Sequence, residues 1–110
     1  MLWFRPGAVR YIRMGPLQGM RFRVNEIIGL SPWHSGSERQ YQKVFKKIIR
    51  TGDVIIDIGA NWGLHALCFS RLVGVSGKVQ AIEPYPPAFT ELEWHLKANH
   101  CSNIIALHSL

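Results

Sequence analysis

The chain has 110 residues, 47% of them hydrophobic, and a formal net charge of +6 at pH 7. This length suits one domain, and the hydrophobic content is enough for one core, so a wholly disordered chain is excluded. No run approaches the roughly 20 apolar residues that a transmembrane helix needs, so we expect no membrane span and a cytoplasmic protein.

The charge is unevenly distributed along the chain. Residues 1–50 hold ten basic residues against two acidic ones, and residues 51–110 hold three against five. The basic residues are scattered between apolar ones or lie on the polar face of a predicted helix, which favours a solvated surface over a nucleic-acid site. A non-enzymatic basic module that binds nucleic acid or an acidic partner is the less favoured alternative.

The first 34 residues are predicted to form a basic N-terminal arm. Glycine and proline interrupt short runs there, and Met20–Val24 alternates apolar and basic side chains. Such alternation predicts a half-exposed β-hairpin, with arginines towards solvent and Met20, Phe22 and Val24 on an apolar surface. We therefore expect the arm to brace or cover a domain that spans residues 35–110.

That domain is predicted to begin with an amphipathic helix. Ser35 and Glu38 form a capping box at its start. Gly52 is suited to the left-handed conformation that ends the helix region before Asp53. Its apolar positions recur at helical spacing: Tyr41, Val44, Phe45, Ile48 and Ile49.

The rest of the chain predicts the order β-α-β-α-β. The run Val54–Ile56 has no polar alternation, so we expect both faces of this strand to be buried in a parallel sheet. A helix, a turn and two further strands separated by a second helix are indicated by periodicity and by a proline at a helix start. The first of these helices has apolar positions at Leu64, Leu67, Cys68 and Leu72, and a turn at 74–77 leads to the second strand at 78–83. The second helix starts at Pro86, with Phe89, Leu92 and Leu96 on one side, and the third strand is predicted at 103–108.

Neither cysteine chemistry nor metal binding is indicated. Cys68 and Cys101 are 33 positions apart, and we interpret both as reduced thiols. His95 and His100 lie near Cys101, but no second pair with zinc spacing accompanies them, so we expect no metal site.

A glycine turn after the first buried strand is the strongest functional signal. The strand ends in Asp57, and Gly59, Asn61 and Gly63 follow before the helix. Glu83 comes 20 residues after Gly63, at the end of the second predicted strand. Parallel strands bring these positions to one carboxyl edge of the sheet, where such folds bind nucleotide-type cofactors.

The spacing of the glycines favours S-adenosylmethionine (SAM) over a dinucleotide. Asn61 stands where a dinucleotide fold would have its second glycine, so a pyrophosphate would approach this backbone poorly. SAM has no phosphate, and its amino-acid carboxylate suits the amides at the helix start. Asp57 would then face the ammonium and sulfonium, and Glu83 the ribose hydroxyls. A nicotinamide-binding Rossmann domain is the alternative.

The segments Gly52–Gly63 and Gly77–Pro84, with Leu96–Asn99, resemble the FkbM-type SAM-dependent methyltransferases. The resemblance implies a Rossmann-like class I methyltransferase sheet and methylation of an oxygen, expected to be a hydroxyl of a small molecule or glycan. It also implies that SAM is bound by the residues that match the motifs of the family: Asp57, Gly59, Asn61, Gly63 and Glu83.

The predicted elements stop at the third parallel strand, whereas the family fold resembles a seven-stranded sheet. We therefore expect a truncated sheet, a fragment without the acceptor-binding half, and no residue that can be assigned as catalytic. A strand that is central in the full fold would leave a bare apolar edge here, which favours self-association.

Overall fold

A computed structural model describes residues 7–13, 15–23 and 36–109. Two short strands come first, β1 (Val9–Tyr11) and β2 (Arg21–Arg23), and helix α1 (Gly36–Ile48) follows. The remaining elements are β3 (Val54–Ile58), α2 (Leu64–Val73), β4 (Lys78–Ile82), α3 (Pro86–Ala98) and β5 (Ile104–Leu107).

The main sheet is parallel, with the strand order β3-β4-β5. Val54 pairs with Lys78 at its start, and Ile82 pairs with Leu107 at its end. The predicted β-α-β-α-β order is therefore confirmed. β4 is one residue shorter than predicted and β5 lacks the first and last predicted residues, which leaves Glu83 just beyond the end of its strand.

Helices α2 and α3 cover one face of this sheet. The residues that β4 and β5 turn towards the helices are buried, among them Val79, Ala81 and Ile104. They meet Leu67 of α2 and Leu92 of α3, which are both fully buried, in one hydrophobic cluster. This cluster fixes the height of the helices over the sheet and so the position of the loop between β3 and α2.

The prediction that both faces of β3 are buried is wrong. Val54, Ile56 and Ile58 are 70%, 60% and 81% exposed, while Ile55 and Asp57 between them are partly buried. The reason is that α2 and α3 cover only the face that Ile55 and Asp57 share. β3 is also an edge strand, since β4 is its sole neighbour in the described part of the sheet.

Helix α1 packs on α2 through part of its predicted apolar face. The Phe45 ring lies 4.8 Å from the Phe69 ring, centroid to centroid, and Ile49 is partly buried. Tyr41, Val44 and Ile48 are exposed, so the predicted stripe is wider than the surface that α2 covers. The predicted capping box depends on Ser35, which lies outside the described residues. Gly52 has the expected positive φ, 91°.

The predicted hairpin is confirmed: β1 and β2 pair antiparallel, with Arg10 opposite Phe22. Met20 and Phe22 are buried in the same cluster as α2 and α3, as predicted, and Val24 lies outside the described residues. The expectation that the arginines face solvent is wrong for Arg23, because its guanidinium binds Glu91 of α3 through two hydrogen bonds of 2.9 and 3.1 Å.

None of the helices in the described part of the chain has the length and hydropathy to cross a bilayer.

Candidate cofactor-binding site

The carboxyl end of β3 turns sharply into α2. Three residues of this turn have positive φ: Gly59 (75°), Asn61 (55°) and Gly63 (107°). Only glycine adopts such angles freely, and asparagine tolerates them better than most side chains, which explains the residue types at these positions. We call residues 59–63 the glycine loop.

Both Gly59 and Gly63 have a positive φ that disfavours larger residues, and Gly63 also has no space for a side chain. A Cβ built on Gly63 would stand 2.8 Å from Leu92 Cδ1, so the loop approaches α3 too closely for a side chain. A Cβ built on Gly59 meets no atom within 4 Å. The glycine loop is therefore packed against the core at one end and faces open space at the other.

Backbone hydrogen bonds join the glycine loop to the end of β4. The amides of Gly59 and Ala60 both donate to the carbonyl of Ile82, at 2.9 Å each. This shared acceptor lies immediately before Glu83, so the loop and Glu83 are held side by side at one edge of the sheet. Parallel strand order alone predicts this juxtaposition.

Glu83 is 6% exposed, and its carboxylate is held by two backbone amides. The Asn61 amide donates to Oε1 at 2.7 Å, and the Tyr85 amide donates to Oε2 at 2.8 Å. A carboxylate oxygen can accept two hydrogen bonds, so each oxygen of Glu83 keeps one acceptor site. The fixed orientation makes Glu83 suited to bind a pair of neighbouring hydroxyl groups.

Asp57 is the most unusual polar residue of this edge. Its Oδ2 atom is buried and has no hydrogen-bond partner among the described residues. Burial raises the pKa of the Asp57 carboxyl, His65 opposes this rise, and the negative charge of Glu83 adds to it. Asp57 pairs with Ala81, two residues before Glu83, so the two carboxylates lie at the same end of neighbouring strands. A buried acceptor without a partner costs about 1–3 kcal/mol, which a ligand with a donor group would recover.

All five residues that were predicted to bind the cofactor lie at this edge of the sheet. Asp57 is the second-last residue of β3, the glycine loop contains Gly59, Asn61 and Gly63, and Glu83 follows β4. Within the described ranges, no group of three or more histidine, cysteine or acidic side chains is arranged to hold a metal ion.

His95 is a further buried polar residue near the glycine loop, and the sequence alone indicates no functional role for it. It is fully buried on α3, and its Nδ1 lies 3.0 Å from the carbonyl oxygen of Trp62. Its position three residues after Leu92, on the inner face of the helix, was the one available signal. The hydrogen-bond partner could not be read from that spacing, since Trp62 lies 33 positions away.

Comparison with known proteins places most of the chain in one family. The family model described as Protein-L-isoaspartate(D-aspartate) O-methyltransferase (PCMT) matches residues 34–109, which include all of the site residues. No curated protein matches the sequence.

Solved structures share the fold. A SAM-dependent methyltransferase from Aquifex aeolicus has a TM-score of 0.59 and 26% identity over 63% of this chain and 37% of that one. A protein-L-isoaspartate O-methyltransferase has a TM-score of 0.58 and 20% identity over 69% and 26%. Aeropyrum pernix fibrillarin, solved with natively bound SAM, has a TM-score of 0.52 and 22% identity over 64% and 31%.

The chain thus spans between about a quarter and two fifths of the length of these structures. The family match and the Rossmann-like fold agree with each other. The chain belongs to the protein-L-isoaspartate(D-aspartate) O-methyltransferase family, which has the fold of the SAM-dependent methyltransferases.

Proposed function

We propose that this chain provides the SAM-binding part of an O-methyltransferase, with Asp57, Gly59, Asn61, Gly63 and Glu83 in contact with the cofactor. The observation that carries the proposal is the buried, unpartnered Oδ2 of Asp57 beside the ordered carboxylate of Glu83. Two carboxylates at one sheet edge are costly without a ligand that offers donors and positive charge. SAM offers an ammonium, a sulfonium and two ribose hydroxyls.

Each residue has a distinct part in this proposal. Glu83 accepts hydrogen bonds from the ribose hydroxyls through the acceptor sites that Asn61 and Tyr85 leave free. Asp57 accepts a hydrogen bond from the amino group. Gly59 leaves room for the ligand to approach the backbone, since nothing occupies the space where its Cβ would be.

SAM, when bound, supplies a methyl group on a positively charged sulfur. The contribution of these residues to the reaction is positioning, because a fixed cofactor makes the encounter with an acceptor effectively unimolecular. None of the described residues is assigned as a general base.

We propose that the acceptor atom is oxygen. The resemblance to FkbM-type enzymes favours a hydroxyl of a small molecule or glycan, and the matched family is described as protein-L-isoaspartate(D-aspartate) O-methyltransferase, which is also an O-methyltransferase. Binding of a nucleic acid to the hairpin is less favoured, because two of its arginines already have partners within the chain. Arg23 binds Glu91 and lies over the Trp94 ring, and Arg21 lies over the Tyr11 ring. A cytoplasmic location suits Cys68 and Cys101, which are both free thiols.

Calorimetric titration of the chain with S-adenosylhomocysteine (SAH) tests the cofactor assignment. We expect one binding site with a dissociation constant in the micromolar range, which corresponds to a binding free energy of about −8 kcal/mol. NADH should neither bind nor compete, because the glycine loop lacks the second glycine that a pyrophosphate needs. A folded chain that takes up no SAH, or one whose SAH is displaced by NADH, would contradict the proposal.

We further propose that β3, which pairs only with β4 among the described residues, makes the chain self-associate through its other edge. An edge strand with unpaired backbone groups and exposed apolar side chains is a template for pairing with another copy. Sedimentation velocity should show species larger than one chain, and Ile56→Lys should shift them towards the monomer, because a charge on this exposed position opposes pairing.

Val9→Lys is the matched control, since Val9 is an exposed apolar residue of the hairpin rather than of the main sheet. Equal association of the two variants, or a monomeric wild type, would contradict pairing through β3.

A further inference from the structure

Side chains on α3 and on the residue that directly follows it, Asn99, take the place of a neighbouring strand along β2. The Arg21 amide donates to Asn99 Oδ1 at 2.7 Å, and Asn99 Nδ2 donates to the Arg21 carbonyl at 2.9 Å. The Arg23 amide donates to His95 Nε2 at 3.0 Å. The match is geometric: residues four apart on a helix are about 6 Å apart along its axis, and residues two apart on a strand are about 6.6 Å apart.

His95 has a second partner in the glycine loop. Its Nδ1 lies 3.0 Å from the Trp62 carbonyl oxygen, and a carbonyl can only accept. Nδ1 therefore carries the proton and donates, while Nε2 is free to accept from Arg23. Burial lowers the pKa of His95 to about 4, against the opposing effects of its backbone hydrogen bonds and Glu91, so the imidazole is neutral at pH 7.

The ring of Trp62 reinforces this connection. It is buried and meets the Phe22 ring of β2 edge-on at 5.2 Å between centroids, and Phe22 also contacts the His95 ring at 4.9 Å. One imidazole thus joins the backbone of β2 to the backbone of the glycine loop. The residue before Trp62 is Asn61, whose amide holds Glu83.

We propose that His95 is a positioning residue for the cofactor site: it holds the Trp62 carbonyl, and through it the Asn61 amide, in the conformation that orders Glu83. This inference rests on the proposed function. The hairpin then contributes to the cofactor site indirectly, because the Arg23 amide anchors the imidazole of His95.

Two substitutions of His95 separate its two hydrogen bonds. His95→Asn places an amide donor where Nδ1 was, so it keeps the bond to Trp62 and loses the one to β2. His95→Gln places an amide where Nε2 was, so it keeps a partner for Arg23 and loses the one to Trp62. We expect His95→Gln to weaken SAH binding by about tenfold or more, and His95→Asn to restore it to within about threefold of wild type.

Asn99→Ala is the matched control, because it removes two hydrogen bonds to β2 and one to the His95 carbonyl but leaves both partners of the imidazole in place. SAH affinity should stay within about threefold of wild type, although the variant is less stable. If affinity follows stability across the three variants, or if both His95 variants bind SAH equally, the proposal is overturned. A wild-type chain that binds no SAH overturns the proposed function and this inference together.

A measurement on the wild type covers the case in which the His95 variants fail to fold. Nitrogen NMR of the imidazole should show a proton on Nδ1 and none on Nε2, and SAH should slow hydrogen exchange at the Arg23 amide by about tenfold. Protection of the Asn61 amide without any change at Arg23, or a proton on Nε2, would overturn the proposal.

Discussion

Glu83→Gln is expected to weaken SAH binding by about 10-fold to 150-fold, because a hydrogen bond to a charged group contributes about 1.5–3 kcal/mol. The loss has two sources. Glutamine has one acceptor oxygen instead of two, so one of the Asn61 and Tyr85 amides loses its partner. The remaining oxygen also binds a ribose hydroxyl less strongly than a carboxylate does. Calorimetry with SAH measures the change.

Glu91→Gln is the matched control for this prediction. Glu91 is a partly buried carboxylate that also accepts two hydrogen bonds, but its partner is the Arg23 guanidinium of β2 rather than the backbone amides of residues 61 and 85. Glu91→Gln therefore removes the same charge and disturbs the same number of hydrogen bonds, but at residues outside the proposed cofactor site. An equal loss of SAH affinity in both variants would show that Glu83 acts through stability alone.

Gly63→Ala is expected to destabilise the chain by about 3 kcal/mol, the combined effect of a left-handed backbone angle and an overpacked core. Its φ is 107°, and the new Cβ would lie 2.8 Å from Leu92 Cδ1. Since Leu92 is fully buried, it has little room to move. The free energy of unfolding in urea measures the effect.

Gly59→Ala provides the comparison, because it introduces the backbone strain without the steric clash. Its φ is 75°, and its Cβ would meet no atom within 4 Å. We expect a loss of about 1–2 kcal/mol in stability. If the two alanine variants are equally stable, the close packing of the glycine loop on α3 is not what makes Gly63 necessary.

The α/β fold could be predicted because its signals are local. Helical spacing in Leu64–Leu72, the proline at the start of α3 and the apolar run of β3 each depend on a few neighbouring residues. The convergence of Asp57 and Glu83 followed from parallel strand order, which brings the ends of adjacent strands to one edge.

The burial of β3 and the role of His95 could not be predicted in the same way. An apolar run shows that a strand can be buried on both faces, but whether each face is covered depends on layers contributed by other parts of a fold. Val54, Ile56 and Ile58 are exposed because the described helices lie on the opposite face. His95 depends on two partners far away in sequence, Arg23 and Trp62.

The family was also beyond the reach of the motifs alone. The segment from Asp57 to Gly63 and the acidic residue at position 83 are the residues that we propose to contact the cofactor, so they indicate the cofactor more readily than the acceptor. The PCMT assignment depends on the whole of residues 34–109. This is why the fold and the family are known here, while the acceptor is proposed.

A crystal structure of the chain with SAH would show directly whether Asp57 and Glu83 hold the cofactor. We expect the ribose hydroxyls to bind the Glu83 carboxylate, the amino group to bind Asp57 Oδ2, and the glycine loop to lie against the ligand. SAH bound on another surface, with Asp57 and Glu83 both free of contact to it, would contradict the proposed cofactor site.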